Sequence, residues 1–293
     1  MREQAQSCLR DGGRESATTT SGPNVKFSTG GASHSLGTTG ALIINADDWG
    51  RDRTTTDRTL DCIRCGAVSA VSAMVFMEDS ERAALMTREH GIDTGLHLNL
   101  TTPFSAGECS SQLRERQATL ARYLLRHRLM QVIFHPGLTT QFEYVVKMQL
   151  DEYRRLYGSA PVRIDGHHHM HLCANVLVQG LLLPRTVVRR NFSFEMGEKS
   201  LGNRLYRHWI DSRLQRHHRL TDYFFSLGPI KPENRLERIV SLSRNFVVEV
   251  EAHPINRDEY LFLTEGVGAY LVDRDVIVRS FATMTSEVSS EGI

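Results

Sequence analysis

The stretch ALIINADDWG, Ala41 to Gly50, decides the fold of this 293-residue chain. Its apolar run, ALIINA, has the length and composition of a buried strand, and the adjacent Asp47 and Asp48 follow where that strand ends. Apolar runs and segments of helical spacing then alternate, in the order TTTDRTLDCIRCG, AVSAVSAMVF, DSERAALMTREHG and IDTGLHLNL. This alternation of strand and helix predicts βαβ units in a parallel sheet.

The later chain continues the pattern. Residues 111–128 and 141–157 have helical spacing, and Gly158 is a suitable helix stop. The runs VRID and RNFVVEVEAHP read as further strands. With about seven such units, we expect the α/β class and a deformed TIM-like (β/α) barrel, irregular or incomplete, rather than an open sheet.

Composition bounds the organisation and the partners. Residues 1–37 are rich in Ser, Thr and Gly and predict a disordered tail, followed by one domain over 38–285 and a flexible end at 286–293. A net charge of +1 gives no general attraction to nucleic acid, so we expect no nucleic-acid partner. No secretory signal or membrane-spanning run is found, so we expect a cytoplasmic protein with reduced cysteines.

Polar residues stand at the predicted ends of four strands. Asp47 and Asp48 end the first, and alternation in GLHLNL places His97 and Asn99 on one face. The strand VRID runs into the histidine-rich GHHHMH, and VVEVEAHP ends with His253 before a proline. Parallel barrels carry their chemistry at the carboxyl ends of strands.

Carboxylates and imidazoles gathered at one edge fit a divalent metal ion with positions left open for water and substrate. One of the paired aspartates would bind the ion, and the other would accept a proton from water. Taken singly, each feature has a plainer interpretation: the aspartate pair as a helix cap or turn, the histidine run as a solvated loop, and His97 as a hydrogen-bonded core residue. Their coincidence favours the metal site.

The motifs NADDWG, GLHLNL, DGHHHMH and EAHP resemble, in order and context, those of the YdjC-like family of carbohydrate deacetylases, over about residues 40 to 270. The resemblance implies a deformed TIM-like barrel and metal-assisted hydrolysis of the N-acetyl group of an amino sugar, with release of acetate. The implied partner is therefore an N-acetylated amino sugar, either an oligosaccharide or a glycan precursor. Contact with a lipid-linked saccharide and assembly into a homo-oligomer stay open.

Matching the motifs residue by residue, the resemblance implies that Asp47 is the general base and that His253 protonates the leaving amine. It implies that Asp48, His97 and His167 bind the metal ion. One carboxylate favours a hard ion such as Mg²⁺ and two imidazoles favour Zn²⁺, so the ion is either of these.

Further residues are expected around this centre. Trp49 stands where the family usually has Phe and would keep an aromatic wall. The extra His168 makes a run of three histidines, in which His167 matches the family's ligand position. The remaining candidates for contacts to substrate or to the ligands are Asn99, His169, His171 and Arg189, the last near the substrate rim.

Two other features call for an interpretation. Cys62 and Cys65 form a CxxC pattern at a predicted helix end, where the helix dipole disfavours a thiolate, so no redox site is expected. The stretch Arg204–Leu220 predicts a helix that is basic on one face and packs by its stripe of Leu205, Trp209, Ile210 and Leu214. A less favoured interpretation is a surface that binds a phosphate-bearing or lipid-linked sugar.

Two rival functions remain at this point. One is another metallohydrolase, either a phosphoesterase or an amidohydrolase of the kind with an early HxH motif. The late position of HxH here argues against it. The other is a non-catalytic metal-binding protein, in which Asp47 would be dispensable.

Overall fold

The computed structural model describes residues 40–194, 198–274 and 276–282. The predicted tail 1–37 and the predicted flexible end 286–293 lie outside these residues. Seven strands form one sheet in the order β5-β4-β3-β2-β1-β7-β6, and every pair is parallel. The strands are β1 Ala41–Trp49, β2 Ala70–Ala73, β3 Thr94–Leu98, β4 Arg163–Gly166, β5 Val187–Val188, β6 Tyr223–Ser226 and β7 Val247–Ala252.

The sheet curls into an incomplete barrel. Although β5 and β6 end the strand order, Val187 of β5 forms a parallel bridge with Arg219, just before β6. The amide of Ser193 also donates to the carbonyl of Phe224, at 2.8 Å. The α/β class and the deformed barrel are therefore confirmed, with seven strands rather than the eight of a regular TIM barrel.

Helices connect the strands. They are α1 Arg53–Arg64, α2 Ser80–His90, α3 Ser111–Arg126, α4 Thr139–Tyr157, α5 Ala174–Gln179, α6 Leu201–Leu214, α7 Asn234–Ser243, α8 Arg257–Leu261 and α9 Val267–Val272. Shorter turns of 3-10 helix lie at Arg128–Gln131, Pro136–Leu138 and His167–Leu172, and a π-helical turn lies at Phe262–Gly266. No helix of the described residues is long and apolar enough to cross a bilayer.

Local sequence explains where the helices begin and end. Asp52 caps α1, because its carboxylate accepts from the amide of Thr55 at 2.9 Å. Gly158 ends α4 in the left-handed conformation, with φ of +78°, which costs glycine little. The predicted ends of α3 and α4 agree with the structure to within two residues.

The register of the sheet gathers the polar strand ends. All nine residues of β1 are buried, as expected for a central parallel strand covered on both faces. Asn45 of β1 is in register with Glu251 of β7, and His97 of β3 is in register with Asp165 of β4. Side chains that are far apart in sequence therefore meet inside the barrel at one end.

The basic helix differs from its prediction. Helix α6 begins three residues earlier and ends six residues earlier than the predicted Arg204–Leu220. Ile210 and Leu214 pack into the core as expected, but Leu205 and Trp209 are 60% and 57% exposed. The helical spacing of apolar residues predicted the stripe, but it could not show that only two of its four residues pack against the core.

The CxxC pattern lies where it was predicted. Cys65 follows the last residue of α1, and burial raises the pKa of the Cys62 thiol to about 12. Cys62, Cys65, Cys109 and Cys173 are free thiols, and Cys8 lies outside the described residues. A thiol with a raised pKa at a helix C-terminus is a poor nucleophile, so the geometry favours no redox chemistry here.

Candidate active site

The carboxyl ends of four strands meet at one cavity of about 360 Å³. The expected catalytic and metal-binding residues all line it. The lining residues are Asp47, Asp48, Arg51, His97, Gly166, His167, His168, His169, Glu251, His253, Ile255 and Asn256. The structure thus brings the motifs together in the way that the rule for parallel strands predicts.

Three side chains could hold a metal ion together. Asp48, His97 and His167 are all buried, and each offers one ligand atom within 4.8 Å of the others. Asp48 Oδ1 lies 2.9 Å from His167 Nδ1 and 3.4 Å from His97 Nε2. It is nevertheless a buried oxygen without a well-formed hydrogen bond. A carboxylate oxygen placed between two imidazole nitrogens fits a cation.

The backbone at this edge is unusual for residues with side chains. Asp48, His168 and His169 have φ of +65°, +54° and +57°, in the left-handed region that is unfavourable for residues other than glycine. Asp48 is the residue before the last of β1, where the pairing with β2 shifts register between Ala46 and Trp49, and it lines the cavity. Of the histidine run, His167 joins the cluster with Asp48, and the ring of His168 lies beside that of His167 with 4.0 Å between centroids.

Asp165 orients His97. Its Oδ1 lies 2.7 Å from His97 Nδ1, and its Oδ2 accepts from the hydroxyl of Ser72 at 2.5 Å. With Nδ1 engaged, Nε2 of His97 faces the cluster, which is the carboxylate–histidine arrangement common beside metal ions. Burial lowers the pKa of His97, but the surrounding carboxylates, above all Asp47, raise it to about 10. No role was predicted for Asp165, although it precedes the histidine run.

Arg189 forms two parallel hydrogen bonds to the carboxylate of Asp47. Its two terminal nitrogens donate to the two oxygens of Asp47, both at 2.7 Å, and Asn45 Nδ2 donates to Oδ1 at 2.8 Å. Burial raises the pKa of Asp47, but Arg189 and His97 lower it by more, so the group stays ionised. Arg189 was expected near the substrate rim or beside the ligands; its side chain is 1% exposed and contacts Asp47.

The same guanidinium joins several other buried carboxylates. Arg189 Nε donates to Glu249 at 2.8 Å, and its terminal nitrogens lie 3.1 Å from Asp165 and 3.4 Å from Glu251. Burial raises the pKa of both glutamates. These two glutamates could have been identified from the sequence as candidate site residues, because VVEVEA places them in a strand that is otherwise apolar.

The local charge balance also fits a cation. Five buried carboxylates surround the cluster and two buried guanidinium groups accompany them, so full ionisation of the carboxylates would leave three more negative charges than guanidinium charges. The groups are Asp47, Asp48, Asp165, Glu249 and Glu251 with Arg163 and Arg189. In the metal-free protein, the raised pKa values of His97, Glu249 and Glu251 reduce this excess. A divalent cation would offset most of this excess, because buried charge is expensive unless it is compensated.

His253 stands on the wall formed by β7. Its Nε2 lies 3.9 Å from Asp47 Oδ2, which is beyond hydrogen-bond distance. The backbone amide of His253 donates to Glu259 Oε2 at 2.7 Å, which fixes the loop after the strand. Its side chain is 29% exposed, so the imidazole can reach a molecule in the cavity.

Three of the further candidates are not among the residues that line the cavity. Trp49 is fully buried, and its indole donates to the hydroxyl of Thr87 at 3.1 Å, so it packs under α2 and forms no aromatic wall of the cavity. Asn99 accepts from two backbone amides and shapes the loop after β3. His171 is buried, and its Nε2 lies 2.9 Å from the carbonyl of Arg189.

His169 differs from these because it borders two cavities. Its Nε2 lies 3.6 Å from Glu251, and its ring packs edge-on against Phe192 with 4.7 Å between centroids. The second cavity, of about 480 Å³, shares His168 and His169 with the first. Its other lining residues are Arg128, Gln131, Val132, Met170, Leu172, Cys173, Arg190, Asn191, Phe192, Lys199, Asn203, Tyr206, Arg207 and Ile210.

Comparisons with known proteins agree with this picture. The sequence model of the family described as YdjC-like protein matches residues 41–270. A Mus musculus protein named carbohydrate deacetylase is 31% identical over 140 residues, 46% of this chain and 44% of its own length. A Serratia marcescens protein named chitooligosaccharide deacetylase is 32% identical over 136 residues, 45% of this chain and 50% of its own length. The chain thus spans about half the length of the curated relatives it matches.

A solved structure shares the fold. The crystal structure of a protein from Enterococcus faecalis V583, described as a candidate for cellobiose-phosphate cleavage, covers 84% of this chain and 99% of its own. Its TM-score is 0.59 at 17% sequence identity, which supports the architecture alone. The family match includes all four motifs whose side chains meet at the cavity, from Asp47 to His253. The chain belongs to the YdjC-like protein family.

Proposed function

We propose that this chain is a metal-dependent carbohydrate N-deacetylase, which hydrolyses the acetamide of an amino sugar to acetate and a free amine. The observation that carries the proposal is the buried Asp48 oxygen between two imidazoles, directly beside the ionised Asp47. The family and the names of its curated members support the same activity. An amide is a poor substrate for hydrolysis, and a site with a cation, a base and an acid meets its three chemical needs.

Asp48, His97 and His167 would hold the ion. A bound divalent ion would polarise the amide carbonyl and lower the pKa of a water molecule held beside it. Asp165 would keep the His97 ring in the orientation that presents Nε2, at a fixed tautomer. The donor set suits Zn²⁺ through its imidazoles and Mg²⁺ through its carboxylate, so a panel of metal ions belongs in the assay.

Asp47 would act as the general base. Arg189 donates to both oxygens of its carboxylate and, together with His97, keeps it ionised, and Asp47 lines the cavity. It would take a proton from water as the water oxygen attacks the acetyl carbon. A base held by two hydrogen bonds of 2.7 Å needs little reorganisation during the reaction.

His253 would act as the general acid. As the carbon–nitrogen bond breaks, its imidazolium would donate a proton to nitrogen, so that an amine leaves in place of an unstable amide anion. The imidazole makes no hydrogen bond to Asp47 in this arrangement, because their atoms are 3.9 Å apart. It is therefore available to the nitrogen of a bound acetamide.

The two adjoining cavities favour a substrate larger than one sugar. The first has room for the acetamide and its ring, and the second continues past His168 and His169. Phe192 and Tyr206 of the second cavity offer flat apolar surfaces of the kind on which sugar rings pack. We therefore place an oligosaccharide or a conjugated amino sugar in this pair of cavities.

The test is acetate release from a panel of N-acetylated sugars, assayed with metal-stripped protein and with each of several divalent ions added back. Asp47→Asn and His253→Gln are expected to lose activity while they keep the fold, which circular dichroism would check. Asp57→Asn, which changes an exposed carboxylate on α1, is the matched control and should keep full activity. Release of phosphate from phosphorylated sugars, without acetate, would contradict the proposal and favour the phosphoesterase alternative.

A further inference from the structure

Two segments of the chain expose apolar side chains to an unusual degree. Nine of the seventeen large apolar side chains that are exposed among the described residues lie in them. They are Leu125, Leu129, Val132, Ile133 and Phe134 in the first segment and Leu201, Leu205, Tyr206 and Trp209 in the second. A cluster of this kind marks an interaction surface, whereas single exposed apolar residues do not.

Both segments are also strongly basic. The first segment is residues 122–135, with the sequence RYLLRHRLMQVIFH. It contains three arginines and no acidic residue. Residues 198–219 contain six lysines and arginines and only two acidic residues. One of these two, Asp211, is buried and pairs with Arg190 at 2.9 Å, so it does not neutralise the surface. We call residues 122–135 and 198–219 together the basic apolar surface.

The two segments belong to one region of the molecule. Arg128 and Val132 of the first segment line the second cavity, and so do Tyr206 and Arg207 of the other. Within α6, the residues Leu201, Leu205 and Trp209 recur every four positions, so they share the face of the helix that points to solvent. Their exposed fractions are 69%, 60% and 57%.

We propose that the basic apolar surface docks this protein on a bilayer that contains anionic lipids. An amphipathic helix with an exposed tryptophan and leucines among basic residues is the composition of segments that lie in the membrane interface. The apolar side chains would enter the interface, and the arginines would meet lipid phosphates. The second cavity, which adjoins the candidate active site, would then lie beside the bilayer.

The charge of the surface argues against a second copy of the chain as the occupant. A two-fold contact would place each basic segment of one copy against a basic segment of the other, and like charges would repel. An anionic bilayer has the complementary charge. Binding should consequently weaken as the salt concentration rises, because salt screens exposed charges.

The distribution of tryptophan provides a direct probe. The chain has two tryptophans, of which Trp49 is fully buried and Trp209 lies on the proposed surface. A change in fluorescence when vesicles are added therefore reports on α6. We expect a blue shift with vesicles of phosphatidylcholine and phosphatidylglycerol, and little change with phosphatidylcholine alone.

Sedimentation with vesicles gives an independent measurement. The double variant Leu201→Ser/Leu205→Ser should lower the partition onto anionic vesicles on the order of tenfold or more, because two leucines no longer enter the interface. The control Val162→Ser/Val272→Ser changes two apolar residues elsewhere that are at least 60% exposed, as Leu201 and Leu205 are, and it should bind as the parent protein does. Both variants should keep any activity on a short N-acetylated sugar, so this test is separate from that of the proposed function.

Three outcomes would overturn the proposal. One is the absence of binding to anionic vesicles. Another is equal binding to neutral and anionic vesicles. The third is a blue shift that appears without vesicles as the protein concentration rises, with a doubled mass in analytical ultracentrifugation, which would assign the surface to a dimer.

Discussion

Replacing Arg189 tests whether one buried guanidinium holds the candidate active site together. Arg189→Met keeps most of the volume of the side chain and removes its charge. The parent side chain makes three short hydrogen bonds to carboxylates, two at 2.7 Å to Asp47 and one at 2.8 Å to Glu249. Hydrogen bonds to charged groups contribute about 1.5–3 kcal/mol each, or about 4.5–9 kcal/mol for the three. In the variant, Asp47 and Glu249 lack their partner, and their protonation would recover part of the lost stabilisation.

We therefore expect Arg189→Met to lower the free energy of unfolding by about 5 kcal/mol, a range also typical of breaking a buried ion pair. Because such a loss could leave the protein unfolded, Arg189→Lys is the companion variant. Arg189→Lys keeps the charge but cannot form the two parallel hydrogen bonds to Asp47. We therefore expect it to lower the free energy of unfolding by about 2 kcal/mol. Urea unfolding followed by circular dichroism, in the presence of a chelator, measures both changes.

Arg53→Met is the control, because this arginine is 74% exposed and its pair with Asp57 is 3.9 Å long. Its midpoint of unfolding should not move measurably. Suppose that the free energy of unfolding of Arg189→Met lay within about 1 kcal/mol of that of the parent protein, with the same dependence on urea concentration. Arg189 would then not stabilise the protein by compensating buried charge.

Three further predictions concern neighbouring residues. Asp165→Asn should weaken binding of the metal ion about 10- to 100-fold in calorimetry, because His97 loses the carboxylate that orients it; unchanged affinity would contradict this role. In metal-free protein, the raised pKa of Glu251 implies a stabilising contribution that is complete below the usual pKa of glutamate and lost as the pH rises through the folded value. Glu251→Gln should thus stabilise the protein at neutral pH and not at pH 4, as thermal unfolding at both values would reveal. Gly166→Ala should destabilise by about 1–3 kcal/mol, because its new Cβ would lie 2.9 Å from the backbone nitrogen of His171; an unchanged melting temperature would show that the turn can shift freely.

Much of the fold follows from patterns within short windows. The apolar run before Asp47, the helical spacing of 141–157 and the glycine stop at Gly158 are local signals, and each agrees with the structure. The convergence of the four motifs follows from one general rule, that parallel strands place their carboxyl ends together. The positions of Asp48, His97 and His253 around one cavity could therefore be expected before the structure was known.

What depends on distant register could not be predicted. Arg189 meets carboxylates that lie 60 and 142 positions away in sequence, on β7 and β1. Nothing local to TVVRR indicates that this arginine turns inward and its neighbour Arg190 does not. The left-handed backbone at His168 and His169 likewise cannot be predicted from a run of identical residues.

The sequence pattern also could not predict that part of the apolar stripe of α6 is exposed to solvent. Apolar residues at helical spacing predict a face that packs, but they do not identify the neighbour. In the structure, the core takes Ile210 and Leu214 and leaves Leu205 and Trp209 to solvent. This departure from the expected packing is what motivates the proposed membrane surface.

Metal-dependent deacetylation is tested most directly by measuring acetate release from the metal-stripped protein, before and after divalent ions are restored, with the parent chain and Asp47→Asn side by side. If a bound divalent ion and Asp47 carry out the hydrolysis, an N-acetylated oligosaccharide should yield acetate only when a divalent ion is present, and Asp47→Asn should still bind the ion but release none. Acetate release that survives Asp47→Asn, or that proceeds equally without any divalent ion, would contradict this expectation.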